Sequence, residues 1–208
     1  MPSVVVDAGA DPSQAKEESG VRITRTVDGA HRVELWDTMR VGWLSNFTRA
    51  AARLGLDIVR GKARRGAERH WSATFELRGA SYDELEQIDF LALARDPSDA
   101  SSVVSLELEG FELTRSSERV GALSLRIQAR DRVGFLASLL AHLAGFVLFP
   151  EEIRIDTFQN EARDALWLSS VGGQSPPPEI ESALRASLIA CTRDRLSMPP
   201  PSPVSPKY

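Results

Sequence analysis

A repeat with a constant spacing organises the middle of the chain. The segment RVGWLS at 40–45 recurs as RVGFLA at 132–137, which is 92 residues later. Kept without gaps, the same spacing aligns apolar positions in several other segments, as with Val33 and Leu125. A register that holds across strand-like and helix-like patterns indicates two copies of one structural unit.

The hydrophobic period of the first copy predicts alternating strands and helices. Residues 31–36 alternate between apolar and polar side chains, which is typical of a half-buried strand. The apolar stripe from Leu44 to Leu54 has helical spacing, and Ser81 with Glu84 forms a capping box at the start of a second helix. The predicted elements are strands at 31–36, 56–65, 70–78 and 103–113 and helices at 43–54 and 81–94.

The second copy repeats this pattern but has no strand at its end. The predicted elements are a strand at 123–127, a helix at 135–145, a hairpin at 152–158 and 164–171, and a helix that begins at Pro178. A fourth strand would fall near 195–204, where prolines prevent a central strand. Residues 20–27 have no place in the first copy, so we expect them to cross over and supply this strand, or another chain to cover the edge.

These patterns predict an α+β protein of two ferredoxin-like βαββαβ units, each with an antiparallel sheet and its helices on one face. The first unit is expected at 20–116 and the second at 117–196. Residues 1–19 are mostly small and polar, and 197–208 are rich in proline. Both ends are therefore expected to be disordered.

Charge and composition exclude several classes of protein. The chain of 208 residues has a formal net charge of −4, which argues against nucleic acid as a partner. No apolar run approaches the roughly 18 residues that a membrane span needs, and the N-terminus lacks the pattern of a signal peptide. The single cysteine, Cys191, cannot form an internal disulfide. We expect a cytoplasmic protein that does not enter a membrane.

The sequence carries no motif for catalysis, a cofactor or a metal. It contains no G-x-S-x-G, P-loop, G-x-G-x-x-G or H-E-x-x-H pattern. Cys191 lies on the apolar stripe of the last helix, and the histidines His31, His70 and His142 are scattered. The expectation is a protein without enzymatic activity, bound cofactor or metal site.

The segment DRVGFLASLLAHLA at 131–144 resembles the opening of an ACT domain, in which a strand leads through a D-R-x-G turn into a leucine-rich helix. The first copy has a similar opening at 40–44, followed by RLGLDI at 53–58. Over 20–195 the chain is thus similar to tandem ACT-domain proteins, such as the stand-alone glycine cleavage regulator type and the C-terminal sensor of nitrogen-regulating uridylyltransferases. The resemblance implies a regulatory protein that binds an amino acid where units meet, acts in trans on a protein partner and forms a homodimer.

The sequence departs from the family pattern at several places. Val41 and Val133 occupy the position of the family's turn proline. Asp57 stands where the family has an asparagine, and the second copy, FVLFPEEI at 146–153, has no residue of that kind.

The resemblance also implies a ligand site at each turn into a first helix. A glycine there allows the backbone to pass close, and free N–H groups at the helix start bind a carboxylate. A side-chain acid from the loop or the second strand would bind the ammonium group. The candidate residues are Asp37, Thr38, Arg40, Gly42, Trp43 and Asp57 in the first copy and Asp131, Arg132, Gly134 and Phe135 in the second.

Two other functions fit the same sequence. In the first, the sheet and helix faces dimerise or bind a protein partner, and no ligand exists. In the second, a basic stripe at Arg60, Lys62 and Arg64 binds an anion, unless Glu34 and Glu76 pair with it across the strands.

Overall fold

A computed structural model describes residues 19–38, 40–66, 70–96 and 105–192 of the chain. Apart from Ser19, the ends expected to be disordered, 1–19 and 197–208, lie outside these residues. The fourth strand considered near 195–204 lies outside them as well.

Eight strands and five α-helices make up the described part of the chain. The strands are β1 (Gly20–Arg25), β2 (His31–Thr38), β3 (Asp57–Arg65), β4 (His70–Arg78), β5 (Gly110–Arg115), β6 (Leu123–Arg130), β7 (Phe149–Phe158) and β8 (Glu161–Ser169). The helices are α1 (Trp43–Arg53), α2 (Tyr82–Glu86), α3 (Phe90–Arg95), α4 (Phe135–Ala144) and α5 (Pro178–Cys191).

The strands form one antiparallel sheet in the order β1-β2-β4-β3-β7-β8-β6-β5. The repeat is visible in this order, because the second half of the sheet mirrors the first. β2 and β6 begin and end 92 residues apart, and α1 and α4 begin 92 residues apart. The two segments that share a sequence pattern therefore share a local structure.

The two copies meet where β3 pairs with β7, a junction we call the seam. At its centre Lys62 faces Arg154, and these two residues are themselves 92 positions apart. Equivalent residues that face each other in an antiparallel pair lie on a twofold axis, so the copies are related by an approximate twofold rotation at this point. One chain is enough to form the seam.

The order of elements within each copy differs from the predicted βαββαβ unit. Each copy runs strand, strand, helix, strand, strand, helix, with the second helix of the first copy split in two. The strand expected to end the first unit, at 103–113, is β5 at Gly110–Arg115 and pairs with β6 of the second copy. The connection 116–122 joins these two strands and sets Leu113 opposite Leu125, so that the local hairpin forms in place of a longer connection.

Residues 20–27 do not cross over to the second copy. β1 forms a hairpin with β2, in which Ile23 lies opposite Val33. In the second copy β5 takes the equivalent place, so the described residues need no strand from elsewhere. The crossover prediction is wrong because closing a tight hairpin costs less entropy than a long connection.

The helix predicted at 81–94 is two short helices, α2 and α3. Its capping box is confirmed: the Ser81 hydroxyl accepts a hydrogen bond from the Glu84 N–H, and the Glu84 carboxylate accepts one from the Ser81 N–H at 2.7 Å. The helix is interrupted because the Asp89 carboxylate accepts a hydrogen bond from the Ala92 N–H and so caps a new helix.

One apolar core lies between the helices and one face of the sheet. Alternate strand residues such as Val33, Phe75, Leu125 and Leu166 are fully buried in it. The opposite face of the sheet carries charged side chains, many of them in ion pairs. Within the described ranges, no helix has both the length and the apolar character needed to cross a membrane.

Candidate functional site

Each copy has a glycine at the turn into its first helix. Gly42 and Gly134 precede α1 and α4 with φ angles of 92° and 87°, in the left-handed region that favours glycine. A β-carbon on Gly42 would meet no atom within 4 Å, so its φ angle, and not the expected close approach of the backbone, requires glycine there. The first N–H groups, of Trp43 and Phe135, donate to the carbonyls of Arg40 and Arg132. Neither helix start has a side-chain cap, so the next peptide N–H groups have no side-chain acceptor at either turn.

The twofold relation brings each turn against the start of a strand in the other copy, and two clefts result. The Trp43 cleft lies between the turn of the first copy and the start of β7. Its lining includes Thr38, Arg40, Gly42, Trp43, Trp71, Leu140, Phe149 and Glu151. The Asp164 cleft lies between the turn of the second copy and the start of β3. Its lining includes Thr48, Asp57, Asp131, Arg132, Gly134, Phe135, Thr157 and Asp164.

All of the predicted ligand residues except Asp37 line one of these clefts. The buried Asp37 carboxylate instead accepts two hydrogen bonds from Arg95, at 2.9 and 2.6 Å. Asp57 was expected beside Trp43, but it lies with the turn of the second copy, because the clefts form across the seam and not within one copy. Met39, which aligns with Asp131, lies outside the described residues.

The Trp43 cleft is the larger of the two, with a volume of about 460 Å³. Trp43 is 2% exposed, and its indole N–H has no hydrogen-bond partner among the described residues. The ring packs edge-on against Trp71, with the ring centroids 5.3 Å apart. An unpaired buried donor costs about 1–3 kcal/mol, so the indole N–H is a point where an acceptor from a ligand or water would bind.

Glu151 brings a negative charge to the same cleft. Its carboxylate accepts hydrogen bonds from the Ser169 hydroxyl at 2.7 Å and from Arg65 at 3.3 Å. The Trp43 cleft therefore combines apolar walls with an unpaired donor, an open helix start and an acceptor.

The Asp164 cleft is small, about 20 Å³, and carboxyl groups dominate its polar lining. Burial raises the pKa of Asp164 to about 7, and the nearby charges of Asp131 and Asp156 add to this, while a backbone hydrogen bond from Asp156 offsets part of it. Burial also raises the pKa of Asp131, and the Asp57 carboxylate raises it further. The pKa of Asp57 is itself raised by burial.

Sequence reasoning missed Asp164 and Glu151 as site residues. Asp164 stands at an inward position of β8 between Ala162 and Leu166, where the alternation favours an apolar side chain. A single acidic residue at an inward position of an otherwise apolar strand is a signal that the sequence contains and that indicates a site residue. Glu151 carries no such signal, because it is the extra residue of a β-bulge beside Pro150, and register shifts of this kind are not readable from the pattern.

The basic stripe lies on the outer face of the sheet, away from both clefts. The prediction that Glu76 pairs with it is confirmed, since Arg60 lies 2.9 Å from the Glu76 carboxylate. The corresponding prediction for Glu34 is wrong, because Glu34 pairs with Arg22 of β1 at 3.5 Å.

The described residues contain no group of three or more His, Cys, Asp or Glu side chains placed to hold a metal ion. His31 and His70 begin neighbouring strands, as predicted. Antiparallel pairing nevertheless separates them, since His31 lies opposite Leu77 and His70 lies opposite Thr38 at the other end of the pair.

No family model matches the chain, and no curated protein or solved structure shows significant similarity to it. Its function is therefore inferred from the two clefts.

Proposed function

We propose that the chain is a cytoplasmic, non-catalytic regulatory protein that binds a free amino acid in the Trp43 cleft and acts in trans on a protein partner. The observation that supports this most is the unpaired indole N–H of Trp43, buried beside an uncapped helix start in a cleft that also holds an acid. The volume of about 460 Å³ is within the range of small-molecule sites.

The proposed carboxylate position is at the start of α1. The first peptide N–H groups of a helix and its positive dipole end favour an anion, and the indole N–H of Trp43 adds a donor there. Arg40, which is exposed at the same turn, would draw the carboxylate towards the cleft.

The proposed ammonium position is beside Glu151. This carboxylate forms an ion pair with Arg65 at 3.3 Å, and it lies near the start of β7 on the other side of the cleft, where a second cation would share it. The walls between the two positions are apolar and include Trp71, Leu140 and Phe149. Such walls favour an amino acid with a large apolar side chain.

The position of the Trp43 cleft between the two copies suggests how a bound amino acid would regulate a partner. Because its two walls belong to different copies, an amino acid bound there would hold the copies together and change the surface that a partner contacts. We also propose that the chain forms a homodimer through β1 or β5, the outermost strands of the described sheet.

The experiment is a thermal-shift screen of the twenty amino acids, followed by calorimetric titration of those that stabilise the protein. Trp43→Phe keeps an aromatic ring, though a smaller one than indole, and removes the N–H, so we expect an affinity at least about tenfold lower, as the loss of one hydrogen bond predicts. Trp36→Phe, on the outer face of the sheet, is the matched control and should keep the wild-type affinity.

If no amino acid shifts the melting temperature and the protein is a stable dimer by light scattering, the alternative function is favoured, a ligand-free interaction module. Equal affinity in Trp43→Phe and the wild type would contradict the proposed site.

A further inference from the structure

Four acidic side chains are buried in the described part of the chain, and arginines neutralise three of them. These pairs are Asp37 with Arg95, Glu76 with Arg32 and Arg60, and Glu152 with Arg119 and Arg154. Asp164 is the exception, because within the described residues it is in no ion pair, and its Oδ1 atom has no hydrogen-bond partner. A buried carboxylate without a cation is unfavourable, so this position is suited to a cationic ligand.

The surroundings of Asp164 also offer acceptors and little positive charge. Asp57 and Asp131 line the same cleft, and neither has a cation within ion-pair distance in the described ranges, although the more distant charge of Arg78 acts on Asp57. The Thr157 hydroxyl is buried there beside the Asp131 carboxylate, whose pKa its O–H lowers, and its lone pairs accept no hydrogen bond from the described residues. The cation in the described lining is Arg132, whose guanidinium donates to the Ser105 carbonyl outside the cleft.

We propose that the Asp164 cleft binds the primary ammonium group of a small amine, with Asp164, Asp131 and Thr157 as acceptors. A primary ammonium has three N–H donors, which matches these three groups. The cleft of about 20 Å³ holds a group the size of a water molecule. A wider cleft of about 340 Å³ shares Asp131 and Arg132 with it and gives room for the rest of the amine.

Binding of the ammonium group is coupled to loss of a proton from Asp164. Because the pKa of Asp164 is about 7, the carboxyl is mostly protonated at pH 6 and mostly ionised at pH 8. The charged groups that face it are Asp131 from the turn, Asp156 from β7 and, farther away, Asp57 from β3, with Arg132 at the rim. The apparent affinity for an ammonium ion is therefore expected to rise about tenfold from pH 6 to pH 8.

The test uses methylammonium chloride as the probe and tetramethylammonium chloride as the matched salt, which has the same charge but no N–H. At constant ionic strength and pH 8, methylammonium is expected to raise the melting temperature of the full chain saturably, and tetramethylammonium is not. Equal effects of the two salts, or an affinity for methylammonium that does not change between pH 6 and pH 8, would overturn the proposal.

Substitutions in the Asp164 cleft test whether methylammonium binds there. Asp164→Asn keeps the size of the side chain and removes its charge, so it is expected to weaken methylammonium binding at least tenfold, whereas Asp83→Asn on the exposed face of α2 keeps it. Thr157→Val, which loses one acceptor, is expected to weaken it at least threefold and serves if Asp164→Asn does not fold. Wild-type affinity in Asp164→Asn or in Thr157→Val would refute the site.

This site is independent of amino-acid binding in the Trp43 cleft. Trp43→Phe is expected to keep methylammonium binding and to lose affinity for the amino acid, so failure of either proposal is visible without the other.

Discussion

Replacing Asp164 with asparagine is expected to change how the stability of the protein depends on pH. Burial raises the pKa of this carboxyl from 3.8 to about 7 in the folded chain. The folded state therefore holds the proton more tightly than the unfolded state does. It follows that the stability linked to this proton is complete below pH 3.8, and it is lost as the pH rises towards 7.

The size of the effect follows from the difference between the two pKa values. Each pKa unit corresponds to about 1.4 kcal/mol, so full ionisation of the Asp164 carboxyl lowers the free energy of unfolding by about 4 kcal/mol relative to its protonated form. About 3 kcal/mol of this falls between pH 5 and pH 8, a range in which most proteins can be studied. Asparagine does not titrate, so its cost as an unpaired buried amide, about 1–3 kcal/mol, is the same at every pH.

Urea unfolding followed by tryptophan fluorescence at pH 5, 6, 7 and 8 measures the difference. We expect the stability of Asp164→Asn relative to the wild type to increase by about 3 kcal/mol over this range, so that the variant is the more stable protein at pH 8. Asp83→Asn, an exposed acid on α2, is the control and should run parallel to the wild type. Parallel curves for Asp164→Asn would refute the reasoning, because they would mean that its charge is compensated in the folded chain.

Three further substitutions test the turn, the core and a buried ion pair, each by urea unfolding. Gly42→Ala is expected to lower the free energy of unfolding by about 1–2 kcal/mol, because alanine is strained at a φ of 92°. Gly110→Ala is the near-neutral control, because a β-carbon there makes an ordinary contact at 3.7 Å. Equal effects of the two substitutions would contradict the argument from φ. Phe47→Ala removes a fully buried ring and is expected to cost about 3–5 kcal/mol, and a loss below about 1 kcal/mol would place the ring outside the core. Arg95→Ala leaves Asp37 buried without its cation. Because solvent screens the exposed arginine, we expect the free energy of unfolding to fall by only about 1–2 kcal/mol, and by less in high salt. A loss of stability that salt does not change would argue against an ionic contribution.

Elements with a strong hydrophobic period were predictable from the sequence. β4 occupies the predicted 70–78, and α1 and α4 begin at the predicted Trp43 and Phe135. In each case the period reflects burial on one face, which a local pattern records directly.

The neighbours of each strand were not predictable in the same way. Alternation in β5 shows which of its faces is buried, but it does not show whether the strand pairs with the first copy or the second. Pairing with β6 depends on the connection 116–122 after β5 and on the register of Leu113 with Leu125. That information is spread over two segments and not contained in either one.

The candidate residues were predictable only in part, for a related reason. The repeated Arg-Val-Gly turn marks Gly42 and Gly134 in the sequence, and each turn does line a cleft. The opposite wall comes from the other copy, across a seam between segments about 90 residues apart. Asp57 was therefore assigned to the wrong cleft, and Glu151 was missed.

The central claim, that the two copies pair within one chain at the seam, is tested most directly by a disulfide across Lys62 and Arg154, which face each other in β3 and β7. Facing residues in antiparallel strands have Cα atoms about 4.5–5.5 Å apart, which suits a disulfide. In a Cys191→Ser background, the Lys62→Cys/Arg154→Cys variant is predicted to form an intramolecular disulfide under mild oxidation, while Lys62→Cys/Arg126→Cys, with its second site on β6, is not. Absence of the first disulfide, or its formation only between chains, would contradict the account.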